Sequence, residues 1–245
     1  MLPQLLIIFV RYPRIGHVKT RMTRACSSSH PLHPRDALEL YVSFLKDLLP
    51  RFQSAKEFDM LVRLGGANDQ ESKEFREKYL LNSGQLETMP PGINDLGALM
   101  EHCFEASAQK GYKRTVLIGS DVPQLSKERV NNAFEFLKSS DMIIGPDNDG
   151  GMYLLGYSHP LGLLKEGIVW GQGTDKEALV RRCLHRNVSY RLLPEEIDMD
   201  CSDDLSEWMA LLSRNPQKMA SQKRECPHTI GCIENIENRR DSAGI

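Results

Sequence analysis

No two of the six cysteines, Cys26, Cys103, Cys183, Cys201, Cys226 and Cys232, form a C-x-x-C pair. That absence argues against a disulfide framework or a compact zinc site and suits a reducing compartment, so a cytoplasmic protein is expected. Long hydrophobic runs are missing too. The apolar run Leu5–Val10 is far shorter than the ~20 residues of a membrane span, and no basic segment precedes it as in a signal peptide. It is expected to be a first strand, with no span. Neither charge sign dominates: 31 Lys and Arg face 33 Asp and Glu, for a net charge of −2. That balance gives no reason to expect nucleic acid as a partner. No G-x-G-x-x-G follows the first apolar run, which disfavours a dinucleotide-dependent oxidoreductase. Gly16-His-Val-Lys19-Thr20 is not a P-loop either, because Gly is not adjacent to Lys and no earlier Gly has the required spacing. No internal repeat is visible.

What is present is a chain of 245 residues, enough for one large domain or two small ones. A chain of this size buries roughly 70–75% of its unfolded surface without a staple. Short apolar runs alternate with stretches of helical spacing. Strands are expected over 4–10, 58–64, 85–89, 115–118, 142–145, 152–157 and 189–193. Helices are expected over 35–49 (ended by Pro50), 69–81, 94–109, 127–137, 175–185 and from Leu205 onward. The stretch 25–34 reads as a loop. The alternation of strands with helices along the chain predicts a three-layer α/β sandwich around a mostly parallel sheet. The domain is expected to span residues 1–214. From Asn215 the chain turns polar and reads as a flexible tail over 215–245. That tail carries Cys226, His228 and Cys232, a metal-like spacing of low specificity.

Thr115–Leu125 is the stretch around which the rest is arranged. Val116-Leu117-Ile118 suits a central strand buried on both faces. Gly119 and Ser120 let a ligand approach, Asp121 puts a carboxylate just past the strand, and Pro123 stops it. Ligands of open α/β sheets sit outside the carboxyl ends of the strands. Asp121 therefore either helps hold a divalent cation and a phosphate there, or only bonds nearby backbone N–H groups. At the end of the first strand, Arg11, Arg14, Lys19 and Arg21 surround Gly16. They form either a polyphosphate cradle or a solvated basic loop. Asp147, Asp149, Gly150 and Gly151 form either a tight turn open to a ligand or a plain hairpin turn with solvated acids. Trp170 either stacks on a base or sugar or packs against the core edge. Asp203 and Asp204 read as helix-start acids, while Asp198 and Asp200 are freer to reach a metal.

Four stretches, taken in order, resemble one family: FVRYPRIGHVKTRM (9–22), GSDVPQL (119–125), GPDNDGGMYLLG (145–156) and DMDCSDDL (198–205). Together they resemble the glycosyltransferase-A-type nucleotide-diphospho-sugar transferase superfamily. Within it they are similar to the selenodomain-associated transferase group, whose relatives include guanylyltransferases acting on phospholactate or on the molybdenum cofactor. The resemblance covers residues 4–212. It implies a transferase dependent on Mg²⁺ (or Mn²⁺) that takes a nucleotide or nucleotide sugar and a small acceptor. It further implies that Lys19 and Arg21 hold phosphates, that Arg11 and Gly16 shape their loop, and that Gly119 lies against the nucleotide. Asp121 would be the first metal ligand, and Asp200 or its neighbour Asp198 the second. Asp149, Gly150, Gly151 and Trp170 would face the acceptor or the distal end of the donor, with Lys19, Asp121 and Asp149 in catalytic roles. Sugar transfer is the first expectation, nucleotidyl transfer with release of pyrophosphate the second, and a non-catalytic nucleotide-binding module the third. The sequence departs from the family pattern in having Arg11 for Lys, Leu96-Gly-Ala-Leu99 for Leu-Gly-Glu-Arg, and Cys201-Ser202 for Thr-Pro.

Overall fold

A computed structural model describes residues 2–24, 30–80, 85–165 and 167–243. Seven strands form one sheet in the order β3-β2-β1-β4-β6-β5-β7. They are β1 (Gln4–Arg11), β2 (Asp59–Gly65), β3 (Gln85–Thr88), β4 (Arg114–Ile118), β5 (Met142–Pro146), β6 (Met152–Tyr157) and β7 (Tyr190–Leu192). All neighbours pair in parallel except β6, which runs antiparallel to both β4 and β5. The tight turn after Pro146 makes that reversal, and the β5–β6 register shifts at Gly145/Pro146.

Alternation along β1 sorts the core into two layers. Leu6, Ile8 and Val10 pack on one face and Leu5 and Ile7 on the other. The first face is covered by α1 (Pro34–Gln53), α2 (Asp69–Tyr79), α4 (Lys127–Phe136), α6 (Ser202–Ser213) and α8 (Pro227–Ala243). The second is covered by α3 (Leu96–Gln109) and α5 (Asp175–His185). This is the three-layer arrangement expected from the alternation of elements.

Two expectations are corrected. Pro50 does not end α1, which runs on to Gln53. Proline removes one helical hydrogen bond, but the final turn is held from outside. Phe52 is buried in the core, and the Arg51 guanidinium donates to Pro123 O at 2.6 Å and Leu125 O at 2.8 Å. Nor is the stretch after Asn215 a flexible tail. It forms α7 (Pro216–Glu225) and α8, and Cys226, Ile230, Ile233 and Ile236 of that stretch are buried. Those four positions recur at helical spacing, a period that Pro227 and Gly231 obscure. Of the loop expected over 25–34, residues 25–29, Cys26 among them, lie outside the described residues.

Candidate functional site

The chain builds β1, β2 and β3 outward in one direction, then returns to place β4 on the other side of β1. The crevice at such a reversal, at the strands' carboxyl ends, is where this architecture binds ligands. A cavity of about 840 Å³ opens there, lined by Arg11, Lys19, Arg21, Gly119, Asp121 and Asp200 among others.

The cationic loop after β1 is fixed by its apolar residues. Val18 and Met22 are buried, so the residues between and beside them are presented in a set orientation. Gly16 has φ +74°, which glycine adopts without cost. Lys19 has φ +48°, uncommon for a residue with a Cβ, and its side chain is only 4% exposed. Its ammonium lies 2.7 Å from Asp121 Oδ1 and 3.3 Å from Asp200 Oδ1, and donates to Met199 O at 2.7 Å. Burial alone would push the Lys19 ammonium towards losing its proton. The charges of Asp121, Asp200 and Asp198 outweigh burial and raise its pKa. Arg21 pairs with Asp200 Oδ2 at 2.9 Å, and Arg14 pairs with Glu71 of α2. Arg11 has no ion pair among the described residues, and its side chain borders the cavity.

The segment 198–200 is held to the loop after β4 by one backbone and one side-chain bond. Met199 N donates to Asp121 O at 3.1 Å, and Gln124 Nε2 donates to Ile197 O at 2.7 Å. At the start of α6, Asp204 Oδ2 accepts from Asp200 N at 2.9 Å and Cys201 N at 2.7 Å. Asp204 thus serves the helix start, as expected for it. Asp121, Asp198 and Asp200 each offer an oxygen within 4.8 Å of the others. Among the described residues this is the one such group of His, Cys, Asp or Glu. Asp198 Oδ1 is buried and has no hydrogen-bond partner. Burial first, and then Asp121, push the Asp198 carboxyl well above the usual carboxylate range. Three clustered carboxylates, one with an unpartnered buried oxygen, fit a hard divalent cation such as Mg²⁺ or Mn²⁺. Cys226, His228 and Cys232 do not form a comparable group. The Cys226 thiol donates to Pro123 O at 3.2 Å, and His228 N donates to Asp47 Oδ1 at 3.1 Å.

Tyr41 is a site residue that sequence reasoning missed. Its hydroxyl accepts from Arg11 N at 2.9 Å, donates to Arg11 O at 3.1 Å, and meets Ser120 Oγ at 3.1 Å. It therefore ties the end of β1 to the end of β4. Burial, then the charge of Asp121, push its pKa up to about 12, so it stays a neutral donor. The residue lies on the apolar stripe of α1, where helical spacing marks it only as core.

Asp149 lies outside the cavity lining but close enough to the carboxylates to feel them. Burial, then Asp204 and Asp200, raise its pKa. Its turn is rigid: Asp147 Oδ1 accepts from Asp149 N at 2.9 Å and Gly151 N at 2.7 Å, while Gly150 O accepts from Lys176 N at 3.1 Å. Trp170 is also outside the cavity lining. It packs against α3 at Gly97, where a Cβ would stand 2.3 Å from its indole nitrogen.

Comparison with known proteins bears on the family and the fold. Residues 48–172 match the family DUF2064, "Uncharacterized protein conserved in bacteria". A 2-phospho-L-lactate guanylyltransferase of Methanocaldococcus jannaschii is 25% identical over 141 residues, which are 58% of this chain and 54% of that protein. The match thus spans about half the length of that relative. A crystal structure from Desulfovibrio desulfuricans G20, of a protein provisionally assigned as a nucleotide-diphospho-sugar transferase, is 25% identical with a TM-score of 0.78. It covers 94% of this chain and 99% of that one. A cytidylyltransferase of Leptospira borgpetersenii shares the fold alone, at 12% identity and a TM-score of 0.53, over 94% of this chain and 97% of that one. A match over residues 48–172, just over half of the chain, together with these neighbours, makes it a member of the DUF2064 family, within the nucleotide-diphospho-sugar transferase superfamily.

Proposed function

We propose that this protein is a divalent-metal-dependent transferase that uses a nucleotide-activated donor, with sugar transfer as the first reading. The observation that carries it is the cluster of Asp121, Asp198 and Asp200 beside Lys19 and Arg21, with Asp121, Asp200, Lys19 and Arg21 in the cavity lining. In this reading the nucleotide lies in the cavity against Gly119, and Arg11, Lys19 and Arg21 take its phosphate oxygens. Asp121, Asp198 and Asp200 would hold the metal, which supplies charge neutralisation for the diphosphate. Asp149, Gly150 and Gly151 lie by the carboxylate cluster, outside the cavity lining, and suit the acceptor side. An acceptor hydroxyl passes its proton to Asp149 as its oxygen bonds to the anomeric carbon. The bond from that carbon to the diphosphate breaks, and Lys19 and Arg21 stabilise the departing charge. The raised pKa of Asp149 suits a general base.

Nucleotidyl transfer is the second reading, favoured by the similarity to the guanylyltransferase. There the cations would stabilise the attacked α-phosphate and departing pyrophosphate, and no base is needed for an acceptor already ionised. Release of a nucleoside diphosphate or of pyrophosphate separates the two.

A thermal-shift screen of nucleoside triphosphates and nucleotide sugars, each with and without Mg²⁺, tests the common core of both. A ligand at 100 times its dissociation constant stabilises by roughly 2.7 kcal/mol, which the screen reads. Asp121→Ala is expected to abolish the Mg²⁺-dependent part of the shift while the fold survives. Unchanged Mg²⁺-dependent affinity in that variant would remove Asp121 from the metal site. Nucleotide binding with no turnover of any acceptor would leave a binding module.

A further inference from the structure

The Lys19 ammonium occupies the same oxygens that a divalent cation would need. It is 2.7 Å from Asp121 Oδ1 and 3.3 Å from Asp200 Oδ1, and Arg21 takes Asp200 Oδ2. Met199 O at 2.7 Å and the Phe44 ring, 5.7 Å from Nζ, complete its surroundings. Of the three carboxylates, only Asp198 keeps a buried oxygen with no partner. A metal ion bound by the three acids would stand beside a buried like charge, and both would draw on the same lone pairs. Lys19 has a left-handed backbone, and such conformations persist where the surrounding structure enforces them.

We propose that Lys19 is a built-in competitor for the metal, released from the carboxylates by the phosphates of the donor. The proposal rests on the metal and nucleotide reading given above. Arg11, which has no ion pair among the described residues, offers the first contact to an arriving polyphosphate. Lys19 then exchanges Asp121 and Asp200 for phosphate oxygens, and the carboxylates so freed accept the divalent cation. Metal and polyphosphate therefore bind as a pair. Each strengthens the other by the same factor, as linkage requires. The class of ligand that opens the site is a di- or triphosphate with its metal, rather than free metal or a monoanionic group.

Mn²⁺ titration of the full chain, followed by electron paramagnetic resonance of the free ion, tests this. Lys19→Met is expected to bind Mn²⁺ alone at least about tenfold more tightly than the unaltered protein, the scale of a typical coupling. Equal or weaker binding by Lys19→Met, with Mn²⁺ still bound through Asp198 (lost in Asp198→Asn), overturns the competitor role and spares the metal site. No Mn²⁺ binding by any form, with or without pyrophosphate, overturns the metal reading itself. A second measurement does not depend on the folding of a variant at Lys19. In protein labelled with ¹³C-lysine, the Lys19 ε-carbon resonance should move on addition of Mg²⁺ with pyrophosphate and stay in place with Mg²⁺ alone. A resonance that moves fully with Mg²⁺ alone, or with neither addition, overturns release by phosphate.

Discussion

Gly97 shows how narrowly one residue can be determined. A Cβ there would stand 2.0 Å from Leu164 O and 2.3 Å from the indole nitrogen of Trp170. Leu164 is buried, and its backbone has nowhere to retreat. Gly97→Ala is therefore expected to destabilise the protein by about 1–3 kcal/mol through overpacking, read as a lower urea midpoint. The same contact explains why the role given to Trp170 in the sequence has no support in the cavity: an indole beside glycines suits a ligand or a close-packed helix equally well. Asp121 drew notice in the chain because it follows an apolar run at a strand end, and Lys19 because it belongs to a cationic loop after another. Asp198 and Asp200 carried no such signal beyond freedom from the helix start. Their place beside Asp121 depends on bonds from Met199 N and Gln124 to partners far away in sequence.

Elements show a second layer of dependence. Asp47, buried in α1, accepts from Thr229 N and Thr229 Oγ1, both at 2.7 Å, and from His228 N, and so serves the amino end of α8. Asp47→Ala leaves these donors unsatisfied in the interior and is expected to cost about 1–3 kcal/mol, measurable by chemical denaturation. At the opposite edge, Asp141 joins the start of β5 to Ser189 just before β7. It accepts from Ser189 Oγ at 2.6 Å and Ser189 N at 3.0 Å. The Ser189 hydroxyl bond, against a smaller opposing effect of burial, holds its carboxyl below the usual range. A depressed carboxylate contributes stability above its unfolded value of about 3.9, and the contribution disappears as pH falls through the lower folded value. Asp141→Asn should therefore show a shallower loss of stability than the unaltered protein as the pH falls below about 4, seen in urea midpoints taken across that range. Strands and long helices were readable from periodicity. The continuation of α1 past Pro50 was not, because its support comes from Arg51 reaching Pro123 O and Leu125 O.

At the scale of the molecule, α8 is part of the core that the site rests on, and Cys226 at the end of α7 is buried with it. Arg51 of α1 bonds the loop after Asp121 and also the end of α7, at Glu225 O. Removing residues 216–245 would take away the buried Cys226, Ile230, Cys232, Ile233 and Ile236 and uncover the face of α1 against which α8 packs. That truncation is expected to lower stability by more than one large core deletion, at least about 2–5 kcal/mol, and to reduce soluble yield. An unchanged melting temperature would restore the picture of an independent tail. The overall sandwich was open to reading because each strand run and helix stripe is local. The closing of α8 over α1 was hidden because it is a partnership across most of the chain.

That partnership sets a timetable for a ribosome. Asp47 and the Thr229 that satisfies it are 182 residues apart. At about 5–20 residues per second, translation takes roughly 9–36 s to connect them. Throughout that interval the nascent α1 has its apolar stripe and a carboxylate destined for burial, but no α8 to cover either. The half of the chain that carries α1 is thus synthesised well before α8 can seal it, and its birth is the period in which a chaperone would be most useful to it.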